Sequence, residues 1–222
     1  MTIPRTTRTA ATALALLIAA TMLPGCVQPA PEPSASPSSS ESATPTPTPE
    51  PDPEPAALEV SLDGIDLVDS AEDVTARASF DDGAGVLSFL GDALGTTPEG
   101  TPNAQGYPIT FYDWGDMSVS VIDDGPATVW IAAAATGGLE LRTTEGVTVG
   151  MTREEAIALG AVPDRDETGD GLPDLLRLQV REAPGTESLE NPGETGVDFI
   201  LVILEGDAVV RMISPASDWG DL

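Results

Sequence analysis

From Ala57 onward, apolar and polar positions repeat with two periods, and each period predicts a different element. Met117, Val119 and Val121 alternate with Ser118 and Ser120; Leu176, Leu178 and Val180 alternate with Arg177, Gln179 and Arg181. A period of two makes one side apolar and the other polar, the pattern of a strand in a sheet covered on one face. Val197–Leu204 is apolar nearly throughout, which predicts a central strand. Pro108–Asp113, Ala127–Ala133 and Ala208–Ile213 complete two sets of three strands. The turns Trp114-Gly115-Asp116, Asp124-Gly125-Pro126 and Glu205-Gly206-Asp207 suit tight antiparallel connections between them.

The other period is helical. Gly83, Leu87, Leu90 and Leu94 fall on one helix face, and Gly95 followed by Pro98 supplies the stop. Thr152-Arg153-Glu154-Glu155 reads as a capping box, in which the Thr152 hydroxyl and the Glu155 carboxylate each accept from the other's backbone N–H. The helix it opens carries Ala156 and Leu159 inward and stops at Gly160, with Pro163 beyond. Glu145–Met151 alternates like a strand leading into that helix, and Asp63–Ser70 is the corresponding entry ahead of the first.

The same order of elements therefore occurs twice, in copies of about 57–137 and 138–222. The expected fold is α+β: tandem helix-plus-three-strand meander units, with an antiparallel sheet and the helices on one face. The stretch Val147-Thr148-Val149-Gly150-Met151-Thr152-Arg153-Glu154-Glu155-Ala156 resembles the helix start of SmpA/OmlA-type envelope lipoproteins. The tandem arrangement resembles β-lactamase-inhibitory proteins, although their disulfides have no counterpart here. The resemblance implies a non-enzymatic module that binds another protein across its sheet.

The first 56 residues follow neither period. Arg5 and Arg8 precede an apolar run, Ala10–Leu23, that is shorter than the roughly 20 residues a membrane-spanning helix needs. It reads as a secretory signal over 1–25. Leu23-Pro24-Gly25-Cys26 resembles the lipobox of bacterial lipoproteins, with Pro24 as its departure. That resemblance implies a diacylglyceryl thioether on Cys26, and two acyl chains hold a protein at a bilayer where one is marginal. Residues 26–56 form a linker of Pro, Ser, Thr, Ala and acidic residues that has too little apolar surface to fold. The expected location is the extracytoplasmic face of a bacterial cell membrane, reached through the lipid anchor.

Composition narrows the chemistry. The chain has no histidine and one cysteine, Cys26, which excludes imidazole- and thiol-based catalysis and zinc sites built on those ligands. A net charge of −28 repels nucleic acid.

Two candidate sites remain. In the loop Asp166–Asp174, Asp166, Thr168, Asp170 and Asp174 bring side-chain oxygens at positions 1, 3, 5 and 9, Leu172 brings a carbonyl, and Gly171 allows the sharp turn. Such hard ligands favour Ca²⁺ in a structural role. The loop resembles the calcium repeats of FG-GAP/VCBS and dockerin-like domains, with Thr168 and Arg177 as departures. The second candidate is a binding face of Tyr112, Trp114, Trp130, Arg177, Arg181 and Arg211, aromatic and Arg anchors on the sheet face opposite the core. The function read from the sequence is a membrane-anchored, non-catalytic binding module whose partner is an envelope protein or wall glycan. The competing reading is a carboxylate-dependent hydrolase of wall glycan, which needs two acids held about 5 to 10 Å apart.

Overall fold

Thirteen strands and two helices make up a computed structural model that describes residues 54–123 and 125–219. The expected signal, Cys26 and nearly all of the expected linker lie outside those residues. No helix among the described residues is long and apolar enough to cross a membrane.

The molecule is mainly β and has two sheets. The larger holds eight strands in the order β10 (Val162–Arg165), β11 (Leu175–Glu182), β12 (Val197–Glu205), β13 (Ala208–Ser217), β7 (Ala127–Ile131), β6 (Met117–Ile122), β5 (Ile109–Asp113) and β4 (Thr101–Pro102). All six strands expected from the period of two are here. Their two groups meet where β13 pairs with β7, Met212 opposite Ile131.

The smaller sheet was not expected. Its order is β3 (Val74–Ser79), β2 (Gly64–Asp69), β1 (Pro55–Val60), β9 (Leu139–Thr143) and β8 (Ala135–Thr136). β1 begins at Pro55, so the fold starts just before the expected boundary. β1 and β9 run parallel, with Leu58 beside Leu141. Glu145–Met151, expected as a strand, is instead a turn and an irregular stretch. The Gly146 amide donates to the Thr143 carbonyl and the Val147 amide to Thr143 Oγ1, which folds the segment back on β9.

One core lies between the sheets. Leu58 and Ile65 come from the smaller sheet; Val119, Ile200 and Met212 come from the larger. Helix α1 (Gly83–Leu94) adds Val86 and Leu90, and α2 (Arg153–Ala158) adds Ala156. The apolar face of the larger sheet is thus covered by a second sheet as well as by helices. Leu87 and Leu94 are only partly buried, and Leu159 is 37% exposed, so each helix is rotated or shortened relative to its expected face. Asp82 caps α1, its carboxylate accepting from the Gly85 amide, and Gly95 ends it at φ 74°. A side chain at position 83 would strike Val121 Cγ1 at 2.5 Å and the Gly125 carbonyl at 2.7 Å. Glycine there lets α1 start directly against the β6–β7 turn.

Candidate functional site

Strand register fixes which residues share the outer face of the larger sheet. Met117, Val119 and Val121 face the core, so Ser118 and Ser120 face outward. Phe111 lies opposite Ser120, and Trp130 lies opposite Ser118 on the other flank of β6. The two aromatics stand one strand to either side of β6, whose Ser118 is half-buried and lines the space near them while Ser120 is buried. Two strand spacings, about 9–10 Å, separate β5 from β7, and the two aromatics are further offset by two residues along β6. Between them lies a depression of about 370 Å³, with Arg211 of β13 and the exposed Asp113 and Asp116 at its rim.

This is only part of the expected face. Trp130, Arg177 and Arg211 are outward, but Tyr112 is opposite Val119 and packs on the core with Trp114. Trp114 donates its indole N–H to the Thr96 carbonyl at 2.9 Å. The outward aromatic of β5 is Phe111, which the sequence reading passed over. Its position next to Tyr112 in an alternating strand was the available signal.

The β11 side departs for a different reason. Gln179 has φ 52°, and the β11–β12 register shifts between Leu178 and Arg181. A bulge of this kind re-aims the side chains that follow it. Gln179 therefore turns to the smaller sheet, where Oε1 accepts from the Leu62 amide and Nε2 donates to Thr144 Oγ1 and Glu145 Oε1. Val180, expected in the core, is 50% exposed. Arg181 ion-pairs with Asp63 at 2.7 Å, away from the outer depression. Arg177 stays outward but is occupied: it stacks on Phe199, with 4.3 Å to the ring centroid, and pairs with Asp164 and Glu190.

Arg211 contrasts with the rest. Of the seven arginines among the described residues, Arg77, Arg142, Arg153, Arg165, Arg177 and Arg181 form ion pairs, and Arg211 forms none with a described residue. Trp130 is equally distinct. Trp219 donates its indole N–H to Asp198 at 2.9 Å, and Trp114 is paired as above, whereas the Trp130 N–H is buried without an acceptor among the described residues. An unmet buried donor costs about 1–3 kcal/mol. The depression thus combines two aromatic side chains, the Ser118 hydroxyl, a guanidinium unpaired among the described residues and two exposed carboxylates, with the covered Trp130 N–H beneath its surface.

The Asp166–Asp174 loop uses its carboxylates locally. Asp166 accepts from the Gly169 and Gly171 amides at 2.6 and 2.7 Å. Asp170 accepts from the Leu172 amide at 2.8 Å. Asp174, 8% exposed, accepts from the Glu167 and Thr168 amides on one oxygen, both at 2.8 Å. Hydrogen bonding to the Thr168 amide holds the Asp174 carboxyl below the usual carboxylate range, against the opposing effect of desolvation. Among the described residues no three acidic side chains gather closely enough to hold a metal ion. A neighbouring residue missed by the sequence reading, Arg153, clamps this loop to the β12–β13 turn: Nε donates to the Pro173 carbonyl at 3.0 Å and Nη2 to the Gly206 carbonyl at 2.5 Å.

No family model matches the chain, and neither the curated proteins nor the solved structures contain a match.

Proposed function

We propose that the protein is a lipid-anchored, extracytoplasmic binding module that presents the outer depression of its larger sheet to a component of the bacterial envelope. The observation that carries this reading is the depression itself: Phe111, Trp130 and Ser118 line it, with Arg211, unpaired among the described residues, beside them. Aromatics and Arg are the side chains that most often anchor interfaces. Anchoring would come from a diacylglyceryl thioether on Cys26, with residues 26–56 as the spacer. The two strand groups and their helices would be diverged copies of one unit.

A photo-crosslinking residue at Thr128, on the outer face next to Trp130, tests the binding role in whole cells. The expected result is an envelope adduct that is lost in the Phe111→Ala/Trp130→Ala variant while its melting temperature holds. An adduct unaffected by that variant overturns the reading. Cys26→Ala tests the anchor, and release of the protein from the membrane fraction is expected.

The hydrolase reading would put Asp113 and Asp116 to work in the same depression. Both are exposed at the rim of an open depression rather than held in a cleft, so binding is preferred. Release of reducing ends from wall glycan, abolished by Asp113→Asn or Asp116→Asn, would reverse that preference. A structural Ca²⁺ would have to draw Asp166, Asp170 and Asp174 together in competition with the loop amides. A rise in melting temperature with millimolar CaCl₂, absent in Asp166→Asn, is the result that would support the ion.

A further inference from the structure

Resting on the reading of the outer depression as a binding site, we infer that it takes a sugar ring bearing a carboxylate, the repeating element of an acidic glycan. Each part of the depression makes a separate demand on a ligand. Phe111 and Trp130 stand on the strands to either side of β6, offset by two residues along it, and both give an aromatic surface to the depression. A pyranose offers C–H faces to such surfaces. Arg211 is exposed and unpaired among the described residues, and a planar guanidinium is best matched by the two oxygens of a carboxylate.

Asp113 and Asp116 ask for donors rather than acceptors. Asp113 already accepts from the Gly115 amide at 2.7 Å, and its remaining capacity is free. Sugar hydroxyls supply donors to these acids and both donors and acceptors to Ser118. A phosphate in place of the carboxylate would bring more negative charge toward the two aspartates, so the carboxylate is the better counterpart of one guanidinium. The volume, about 370 Å³, lies near the lower end for a small-ligand site of about 300–1,000 Å³, the scale of one or two rings. The Trp130 N–H is covered and unbonded, so a ligand acceptor reaches it only by shifting the side chains over it. Its resonance therefore reports occupancy.

The test is a titration of the ¹⁵N-labelled full chain, following the Trp130 indole N–H, assigned by its absence in Trp130→Phe. The probes are glucuronate and N-acetylmuramate against glucose and N-acetylglucosamine, with acetate as a ringless carboxylate. Both acidic sugars should shift the resonance and bind about tenfold tighter than the neutral ones, the scale of one charge-assisted contact. Arg211→Gln should abolish that preference, so that acidic and neutral sugars bind alike. Equal affinity for acidic and neutral sugars, a preference that survives Arg211→Gln, acetate binding as well as glucuronate, or no response to any sugar would each overturn the inference. The Thr128 crosslink separates these failures from failure of the site itself: an adduct that still depends on Phe111 and Trp130 leaves the site standing with a different ligand.

Discussion

At the scale of single residues, Asp174 closes its loop on backbone amides and Gln179 leaves the polar sheet face to join the two sheets. Asp174 is ionised in the fold and bonded to two amides, with its pKa held below the ordinary carboxylate value. A depressed pKa means that the ionised group contributes stability in full above about pH 4, the unfolded Asp value, and that this is lost as pH falls through the lower folded value. Asp174→Asn should therefore lower the melting temperature at pH 7 and flatten its decline between about pH 4 and 2. A decline as steep as that of the parent would refute this role. Gln179 ties the two sheets through Leu62, Thr144 and Glu145. Gln179→Ala leaves those partners unmet and should cost about 1–3 kcal/mol in urea unfolding, whereas truncation of an exposed glutamine costs next to nothing. Neither role was legible in the sequence. An Asp/Gly loop closed on its own amides and one closed on an ion need the same residues at the same spacing. A bulge at Gln179 leaves no mark in the alternation of Leu176, Leu178 and Val180. Trp130 was legible because β7 is regular through it, whereas Arg211 is outward although the β12–β13 register shifts just before it, between Val209 and Arg211; Tyr112 was misplaced by the single residue that separates it from Phe111.

At the scale of elements, local signals were read well and long-range pairing was not. The Thr152–Glu155 capping box forms with both reciprocal bonds, the Thr152 amide donating to Glu155 at 2.8 Å and the Glu155 amide to Thr152 Oγ1 at 3.3 Å. Its helix is only six residues long, so the cap satisfies a large share of its free amides. Thr152→Ala should destabilise the domain by about 0.5–2 kcal/mol, and Thr152→Ser should restore most of the loss. A Ser variant as unstable as the Ala variant would place the effect in packing of the threonine methyl instead. The smaller sheet escaped notice because its strands are brief and its key pairing is remote. β1 finds β9 through Leu58 and Leu141, residues with the whole first strand group between them. The charge pattern of that pairing is also non-local: Arg142 of β9 bonds Glu59 of β1 at 2.8 Å and Glu72 of the β2–β3 turn at 2.6 Å. Nothing near Arg142 in the chain announces either partner.

At the scale of the whole molecule, the tandem pattern and the single core make opposite demands. Two autonomous copies would each bury their own apolar face, but residues 57–137 contain β1 and residues 138–222 contain the β9 strand that lies beside it. Separating them would uncover Leu58 and Val60 on one piece and Leu141 on the other, all 0–1% exposed in the intact fold. It would also break the β7–β13 seam at Met212 and Ile131, which makes the eight-stranded sheet continuous. At about 25 cal/mol per Å² of apolar surface, exposing such a shared core outweighs the few kcal/mol that a piece of this size holds in reserve. The full chain should thus unfold in one transition, with calorimetric and van't Hoff enthalpies in agreement. The two halves, expressed alone, should lack the far-ultraviolet strand signal and recover it when mixed. Two resolved transitions, or a half that folds unaided, would mean that the sheets are docked units, and the outer depression on β5, β6, β7 and β13 would then have to be assembled across a movable seam.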